Sequence, residues 1–130
     1  MVLINVNNLK RKREGIRCDR LSILGNPFYM RHEGERERVI KAFEEYFYEC
    51  LNSPPNYIVS LQSIADNHNV VVAYNWKPLK AGDIQQSIKT LLDQLIISKQ
   101  ITLLCWCKPK DCHLDIVKDY LLSQYSKTLE

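Results

Sequence analysis

The chain has 130 residues, of which 45% are hydrophobic and 25% are charged, the ordinary composition of a single globular domain with its own core. The opening Met1-Val2-Leu3-Ile4-Asn5 is too short an apolar stretch for a signal peptide, and no apolar run approaches the roughly 18 residues of a membrane helix. We therefore expect a cytoplasmic protein without a membrane partner, whose five cysteines are free thiols or metal ligands in a reducing compartment.

The net charge of +3 is too small to indicate a nucleic-acid partner, but its distribution is uneven. Residues 1–38 hold nine Lys and Arg side chains against five Asp and Glu. The run Lys10-Arg11-Lys12-Arg13 is typical of a solvated loop. Alternatively, such a run attracts a phosphate-bearing ligand or a nucleic-acid backbone.

The first half of the chain predicts two short strands and one long helix. We expect strands at residues 2–6 and 16–18, a turn at residues 24–28, and a helix from about Gly34 to Leu51. The apolar side chains of the helix form one stripe at helical spacing: Val39, Ile40, Phe43, Phe47, Cys50 and Leu51. Pro54-Pro55 ends it.

The second half alternates strands and helices. A weak helical pattern at residues 57–67 precedes Val70–Tyr74, a continuous apolar run typical of a strand covered on both faces. A second helix starts at Asp83, which we expect to be its N-cap in a capping box with Gln86. The last strand occupies residues 101–107, and Asp111 caps a final helix through about Tyr125. This order predicts an α/β fold: one domain over residues 1–130, with a mainly parallel sheet of about four strands flanked by helices.

The chemistry is expected where the last strand ends, because ligands of parallel α/β sheets collect at the carboxyl ends of strands. Cys112 and His113 fall at the start of the final helix, close to Lys108 and Lys110. The helix terminus and the two lysines favour a thiolate, so we expect a lowered pKa for Cys112 and a proton-relay role for His113. The same N–H groups and lysines can instead bind an anion.

The other cysteines of this segment leave three interpretations open. Cys105 and Cys107 are two apart on a strand, so they share one face, with Trp106 on the other. Together with Cys112 and His113 they offer the four ligands of a tetrahedral Zn²⁺ site, although the C-x-C-x₄-C-H spacing is not the usual one. Alternatively, the strand cysteines are simply small buried apolar side chains, or they support a reactive thiol that needs no cofactor.

The turn Gly25-Asn26-Pro27-Phe28 is a second candidate site. Its backbone can approach a ligand closely, with Asn26 forming hydrogen bonds and Phe28 stacking on a ring. The alternative is a rigid turn with Phe28 buried as an anchor. Nearby arginines can clamp a phosphate or a carboxylate: Arg20, Arg31 and Arg36. If the turn and the last strand's loop are neighbours in space, Asn26 and His113 face one cleft.

These motifs resemble those of a known family, the domain of unknown function 4326. Its C-terminal signature is similar to Leu104-Cys105-Trp106-Cys107-Lys108-Pro109 followed by Cys112-His113. Its N-terminal block is similar to Asn5, Arg20, Ser22, residues 24–28, Arg36 and Val39-Ile40. The resemblance covers most of the chain, and residues 53–82 look like an insertion. A more distant resemblance is to the domain of unknown function 488, in which a residue equivalent to Cys107 is not maintained, which argues against a four-ligand metal site.

The resemblance implies a fold and a site but no reaction. The family's α/β character and its occurrence in phages and bacteria suggest nucleotide- or nucleoside-related ligands. Our leading hypothesis is a domain that binds an anionic, nucleotide-like small molecule, with Cys112, His113 and Cys105 as the catalytic residues if it is an enzyme. The expected ligand-binding residues are Asn5, Arg20, Gly25, Asn26, Pro27, Phe28, Arg36, Lys108 and Lys110. The alternatives are a zinc-stabilised interaction module and a nucleic-acid-binding accessory protein.

Overall fold

The computed structural model describes residues 2–10, 14–19, 22–54, 56–76, 79–108 and 110–129. Its strands are β1 (Leu3–Asn8), β2 (Ile16–Arg17), β3 (Phe28–Tyr29), β4 (Val71–Val72) and β5 (Gln100–Cys105). Its helices are α1 (Arg36–Asn52), which follows a 3₁₀ turn at Glu33–Glu35, α2 (Leu61–His68), α3 (Asp83–Ser98) and α4 (Leu114–Thr128).

The main sheet is parallel and has the order β1-β5-β2. β5 lies in its centre, paired with β1 from Leu3↔Gln100 to Asn8↔Cys105. Apolar residues of β5 are therefore buried by neighbours on both sides: Ile101, Leu103, Leu104 and Cys105. The α/β class with a mainly parallel sheet is confirmed, with three strands in the described residues where about four were expected.

β2 reaches the sheet through a glycine. Gly15 has a φ of +141°, and a Cβ atom on it would lie 2.8 Å from the carbonyl oxygen of Thr102. Only glycine permits both this dihedral angle and this close approach. The pairing continues beyond β2, since the Cys18 N–H donates to the Leu104 carbonyl at 2.9 Å. The segment after β2 is thereby held beside the end of β5.

The expectation of a strand covered on both faces at residues 70–74 is wrong. Only Val71–Val72 is a strand, and it pairs antiparallel with Phe28–Tyr29 in a separate two-stranded sheet. Val71 is 40% exposed and Tyr74 is 97% exposed. The β-branched run specifies an extended backbone locally, but a two-stranded ribbon at the surface leaves one face in solvent. It also makes Phe28 part of a strand, where the sequence predicted only a turn.

The helices match the predicted segments, but two of their starts differ. α3 has Gly82 as its N-cap, and the expected cap Asp83 instead accepts the Lys80 N–H at 2.8 Å. α4 begins at Leu114, so the expected cap Asp111 lies outside it. At that end Asp115 accepts the Cys112 N–H at 3.1 Å. At both helix starts a carboxylate in the first turn accepts the N–H of a residue that precedes the helix, an arrangement that spacing alone does not single out.

The core lies between the sheet and the helices. α1 contributes the buried side chains of its predicted stripe, Val39, Phe43 and Phe47, together with Ala42 and Tyr46. Phe43 is fully buried and stacks on Phe47, with ring centroids 5.6 Å apart. Among the helices of the described ranges, none has the length and apolarity that a membrane crossing requires.

The aromatic packing of α1 gives a stability prediction. We expect Phe43→Ala to lower the free energy of unfolding by about 3–5 kcal/mol, because it removes a fully buried ring and leaves a cavity. Urea denaturation measures the loss. Tyr74→Ala, at a side chain that is 97% exposed, is the control and changes stability by less than about 0.5 kcal/mol. Equal losses in the two variants would contradict this placement of the core.

Candidate functional site

A cleft of about 480 Å³ lies where β5 and β2 end. The residues named by the sequence that line it are Asn26, Phe28, Arg36, Cys105, Cys107, Cys112 and His113. The turn at residues 24–28 and the start of α4 therefore face one cleft, as predicted. We refer to it as the thiol cleft, because three of the chain's five cysteines contribute to its wall.

The three thiols of the cleft differ in accessibility. Cys105 ends β5, Cys107 lies in the following loop, and Cys112 precedes α4. Cys105 and Cys112 are each only 1% exposed, whereas Cys107 is half-buried. A reagent that enters the cleft therefore meets the sulfur of Cys107 first.

The thiols also differ in acidity. Hydrogen bonding to Cys112, together with the Arg36 guanidinium, lowers the pKa of Cys107 to about 6. Hydrogen bonding to Cys112 likewise lowers the pKa of Cys105. The pKa of Cys112 is raised, first by its hydrogen bonds to these two cysteines and then by burial. The expected low pKa of Cys112 is thus wrong, because neighbouring sulfurs outweigh the helix terminus.

His113 is buried in the core beside the cleft. Its Nε2 lies 3.1 Å from the carbonyl oxygen of Cys18 and 2.9 Å from that of Leu24. Because carbonyl oxygens only accept, Nε2 carries the hydrogen and donates it. Nδ1 lies 3.5 Å from Cys112 Sγ, and the ring packs edge-on against Phe43 at 4.8 Å. The imidazole is therefore both a structural crosslink and a neighbour of the Cys112 thiol.

Arg36 connects the cleft to the start of α1. Its Nε donates to Glu33 Oε2 at 2.8 Å, and its Nη1 donates to the Asp111 carbonyl oxygen at 2.8 Å. The side chain is 18% exposed and shares the cleft wall with Cys107, so its positive charge favours the thiolate of that cysteine. These contacts fix the guanidinium plane in the wall of the cleft.

Asp19 is a site residue that the sequence analysis missed. Its side chain is only 5% exposed, and its Oδ2 pairs with Arg17 and accepts from Trp106 Nε1 at 3.4 Å. Its Oδ1 is buried and has no hydrogen-bond partner within the described ranges. A buried carboxylate oxygen without a donor is costly, so such an oxygen on a residue of the cleft wall is a candidate acceptor for a ligand donor. Asp19 follows the end of β2. The rule that ligands of parallel sheets collect at strand ends, which pointed to Cys105, therefore points to Asp19 as well.

Further lining residues were not predicted: Arg17, Met30, Val39, Ile40, Asn75, Trp106 and Asp111. Trp106 was expected to point away from the two neighbouring cysteines, and this is wrong. Successive side chains point to opposite faces only while the strand stays extended. β5 ends at Cys105, and the chain then bends. The half-exposed indole ring therefore joins the same cleft.

The turn motif supplies both an anchor and a wall. Asn26 Oδ1 accepts the Phe28 N–H at 2.9 Å, which fixes the turn from within. Phe28 is 1% exposed and meets Tyr46 edge-on at 6.3 Å. Gly25 and Pro27 are buried behind this wall and do not line the cleft. The anchor interpretation of Phe28 thus holds, and the edge of the ring also borders the cleft.

At the start of α4, the groups that were expected to bind an anion have partners within the protein. Lys108 Nζ pairs with Asp115 at 2.6 Å, and Lys110 Nζ pairs with Glu33 at 2.8 Å. The Cys112 N–H is taken by Asp115, and the Leu114 N–H points to Cys112 Sγ at 3.5 Å. Both lysines are thus paired with carboxylates of the protein. Neither of them lines the cleft.

Three other predicted contributors also fall outside the cleft's described wall. Asn5 lies on β1, on the far side of β5 from β2, and does not line the cleft. Arg20 lies outside the described residues, as do Arg11, Lys12 and Arg13 of the basic run. The ligand role of Arg20 and the nucleic-acid alternative therefore stay predictions.

The zinc alternative finds no support in the geometry. No three His, Cys, Asp or Glu residues in the described ranges are arranged to hold a metal ion. His113 is turned away from such a role, since its Nε2 is held by two carbonyl groups. Cys105, Cys107 and Cys112 share one wall of the cleft without forming a set of metal ligands in the described part of the chain.

The domain is of the α/β class, with a small parallel sheet whose strand ends surround a cysteine-lined cleft. Comparison with known proteins gives its family. The model of the family described as Domain of unknown function (DUF4326) matches residues 4–123, so the chain belongs to this family. No curated protein matches the chain significantly, and no solved structure does.

The acidity of Cys107 gives a prediction with a defined pH midpoint. Thiolates rather than thiols react with iodoacetamide, so labelling of Cys107 should be half-maximal near pH 6, fall below it, and level off above it. Mass spectrometry of labelled peptides measures the rate at each pH. Cys50 is the internal comparison, because burial raises its pKa to about 11.

Substitution of Arg36 tests how much this residue contributes to the lowered pKa of Cys107. Arg36→Gln should move the midpoint for Cys107 upward, since the positive charge beside the thiolate is lost. Arg36→Lys keeps the charge and is the matched control. A Cys107 midpoint near the ordinary thiol value in the unsubstituted protein would contradict the arrangement.

Proposed function

We propose that this domain binds a nucleoside- or nucleotide-like small molecule in the thiol cleft. The observation that carries the proposal is the buried carboxylate of Asp19, a residue of the cleft wall whose Oδ1 has no hydrogen-bond donor in the described part of the chain. Nucleobase N–H groups and ribose hydroxyls are donors of the kind that such an oxygen accepts. A hydrogen bond to this oxygen also discriminates between ligands, because a ligand without the donor leaves a buried acceptor unpaired.

The rest of the cleft suits a ligand that combines a planar ring with an anionic group. Its volume of about 480 Å³ is in the range of small-molecule sites. Trp106 offers a half-exposed indole for stacking, and Phe28 adds apolar wall. Arg17 and Arg36 bring guanidinium groups to the same cleft, where a phosphate or carboxylate would be paired.

Both guanidinium groups are already fixed by carboxylates. Arg17 pairs with Asp19 and Arg36 pairs with Glu33. A guanidinium has five N–H donors, and these pairings use only part of them. The cations are therefore pre-oriented, so a ligand does not pay for ordering their side chains. Lys108 and Lys110, in contrast, contribute charge only at a distance, because each is neutralised by its own partner.

The experiment is a titration calorimetry and thermal-shift series with nucleosides, nucleoside monophosphates and ribose 5-phosphate. We expect a nucleoside or nucleotide to bind, and Asp19→Asn to weaken it by about 10- to 100-fold, the equivalent of one hydrogen bond to a charged group. Asp93→Asn, at an exposed position on α3, is the matched control and leaves binding unchanged.

Two outcomes of this series would contradict the proposal. Ribose 5-phosphate lacks the base, so equal binding of this compound would point to the arginines alone and against recognition by Asp19. If no compound binds to the folded wild-type protein, the proposed function is wrong.

A further inference from the structure

We propose that Cys107 and Cys112 form a dithiol–disulfide redox pair, in which Cys107 attacks the disulfide bond of a low-molecular-weight thiol compound and Cys112 resolves the product. The inference goes beyond ligand binding and does not depend on it. It rests on three features of the thiol cleft: one half-buried cysteine, a buried cysteine in the same wall, and an imidazole nitrogen 3.5 Å from the buried sulfur.

The first feature identifies the attacking group. Cys107 is half-buried in the wall of a cleft, whereas Cys105 and Cys112 are closed off from solvent. The Arg36 guanidinium contacts Cys107 and stabilises its thiolate, which is the reactive form in thiol–disulfide exchange. A low-pKa, accessible thiol next to a second cysteine is the arrangement that redox-active cysteines share.

The second feature identifies the resolving group. Cys112 lies in the same cleft wall as Cys105 and Cys107, so two pairings are open to it. Cys105 is held in the central strand, where its carbonyl oxygen accepts the Leu9 N–H at 2.8 Å. Cys107 and Cys112 both lie in the irregular segment between β5 and α4. Because a disulfide requires a specific separation and dihedral angle, the pair in the irregular segment adapts to it more easily.

The third feature supplies the base. His113 Nε2 carries a hydrogen for the Cys18 and Leu24 carbonyl groups, so in the neutral ring Nδ1 is the acceptor, 3.5 Å from Cys112 Sγ. Cys112 is protonated at rest and must lose its proton before it attacks. His113 Nδ1 is placed to take that proton.

The reaction balances in two steps. The Cys107 thiolate attacks one sulfur of the compound RSSR: a bond forms between Cys107 and SR, the original S–S bond breaks, and RS⁻ leaves with the electron pair. Cys112 then gives its proton to His113 and attacks the Cys107 sulfur, so that the Cys107–Cys112 disulfide forms and a second RS⁻ leaves. The leaving thiolates take up protons from His113 and from water. The protein dithiol is oxidised, and RSSR is reduced to two RSH.

The test is incubation of the reduced full chain with oxidised glutathione, followed by intact-mass and peptide mass spectrometry. Wild-type protein should lose two hydrogens and carry a Cys107–Cys112 disulfide. Cys112→Ser should stop after the first step and keep one glutathione on Cys107. Cys107→Ser should form neither the glutathione adduct nor the Cys107–Cys112 disulfide. Cys50→Ser, at a half-buried thiol outside the cleft, is the matched control and should behave like wild type.

Peptide mapping of the wild-type protein keeps the test independent of how the variants fold. A disulfide between Cys105 and Cys112 overturns the assignment, as does a glutathione adduct that accumulates on wild-type Cys107 without resolving. No reaction at Cys107 under excess oxidised glutathione also overturns it. Because none of these measurements involves a nucleoside, failure here leaves the proposed ligand-binding function untouched, and the reverse also holds.

Discussion

The Nε2–H of His113 lies between the carbonyl oxygens of Cys18 and Leu24, and the geometry of the cleft depends on this contact. It ties the start of α4 to the segment after β2, across 95 and 89 positions of sequence. The same ring packs against Phe43 of α1. A single buried side chain thereby fixes three elements around the end of β5. Removing the donor would leave two buried carbonyl groups without it, which is costly in an apolar environment.

The contact also sets the roles of the cysteines. With the hydrogen on Nε2, the other nitrogen of His113 faces Cys112, which is buried and shares hydrogen bonds with two more sulfurs. These interactions raise the pKa of Cys112 and lower the pKa of both Cys105 and Cys107, and the Arg36 guanidinium further lowers that of Cys107. The lowered thiol pKa that was predicted for Cys112 therefore belongs to Cys105 and Cys107. The two proposals use different walls of one cleft: Asp19 and the rings for recognition, the thiols for exchange.

Much of the fold follows from pattern. The stripe of α1, the apolar run of β5 and the alternation of strands with helices were enough to predict an α/β domain with a parallel sheet. The rule that ligands gather at strand ends placed the cleft at the Cys105–His113 segment. Pattern failed at residues 70–74, because β-branched residues specify an extended backbone and carry no information about what covers it.

The sequence by itself determined the fold class, the family and the segment that lines the candidate cleft, since periodicity, turn chemistry and motif order are local properties. Only the tertiary structure decided which charges are available to a ligand. Lys108 and Lys110 are neutralised by carboxylates, one of them 77 positions away, while Asp19 keeps an oxygen without a donor in the described protein. The physical reason is that a polar group's chemistry depends on its hydrogen-bond partner and its burial, and both are set by residues distant in sequence.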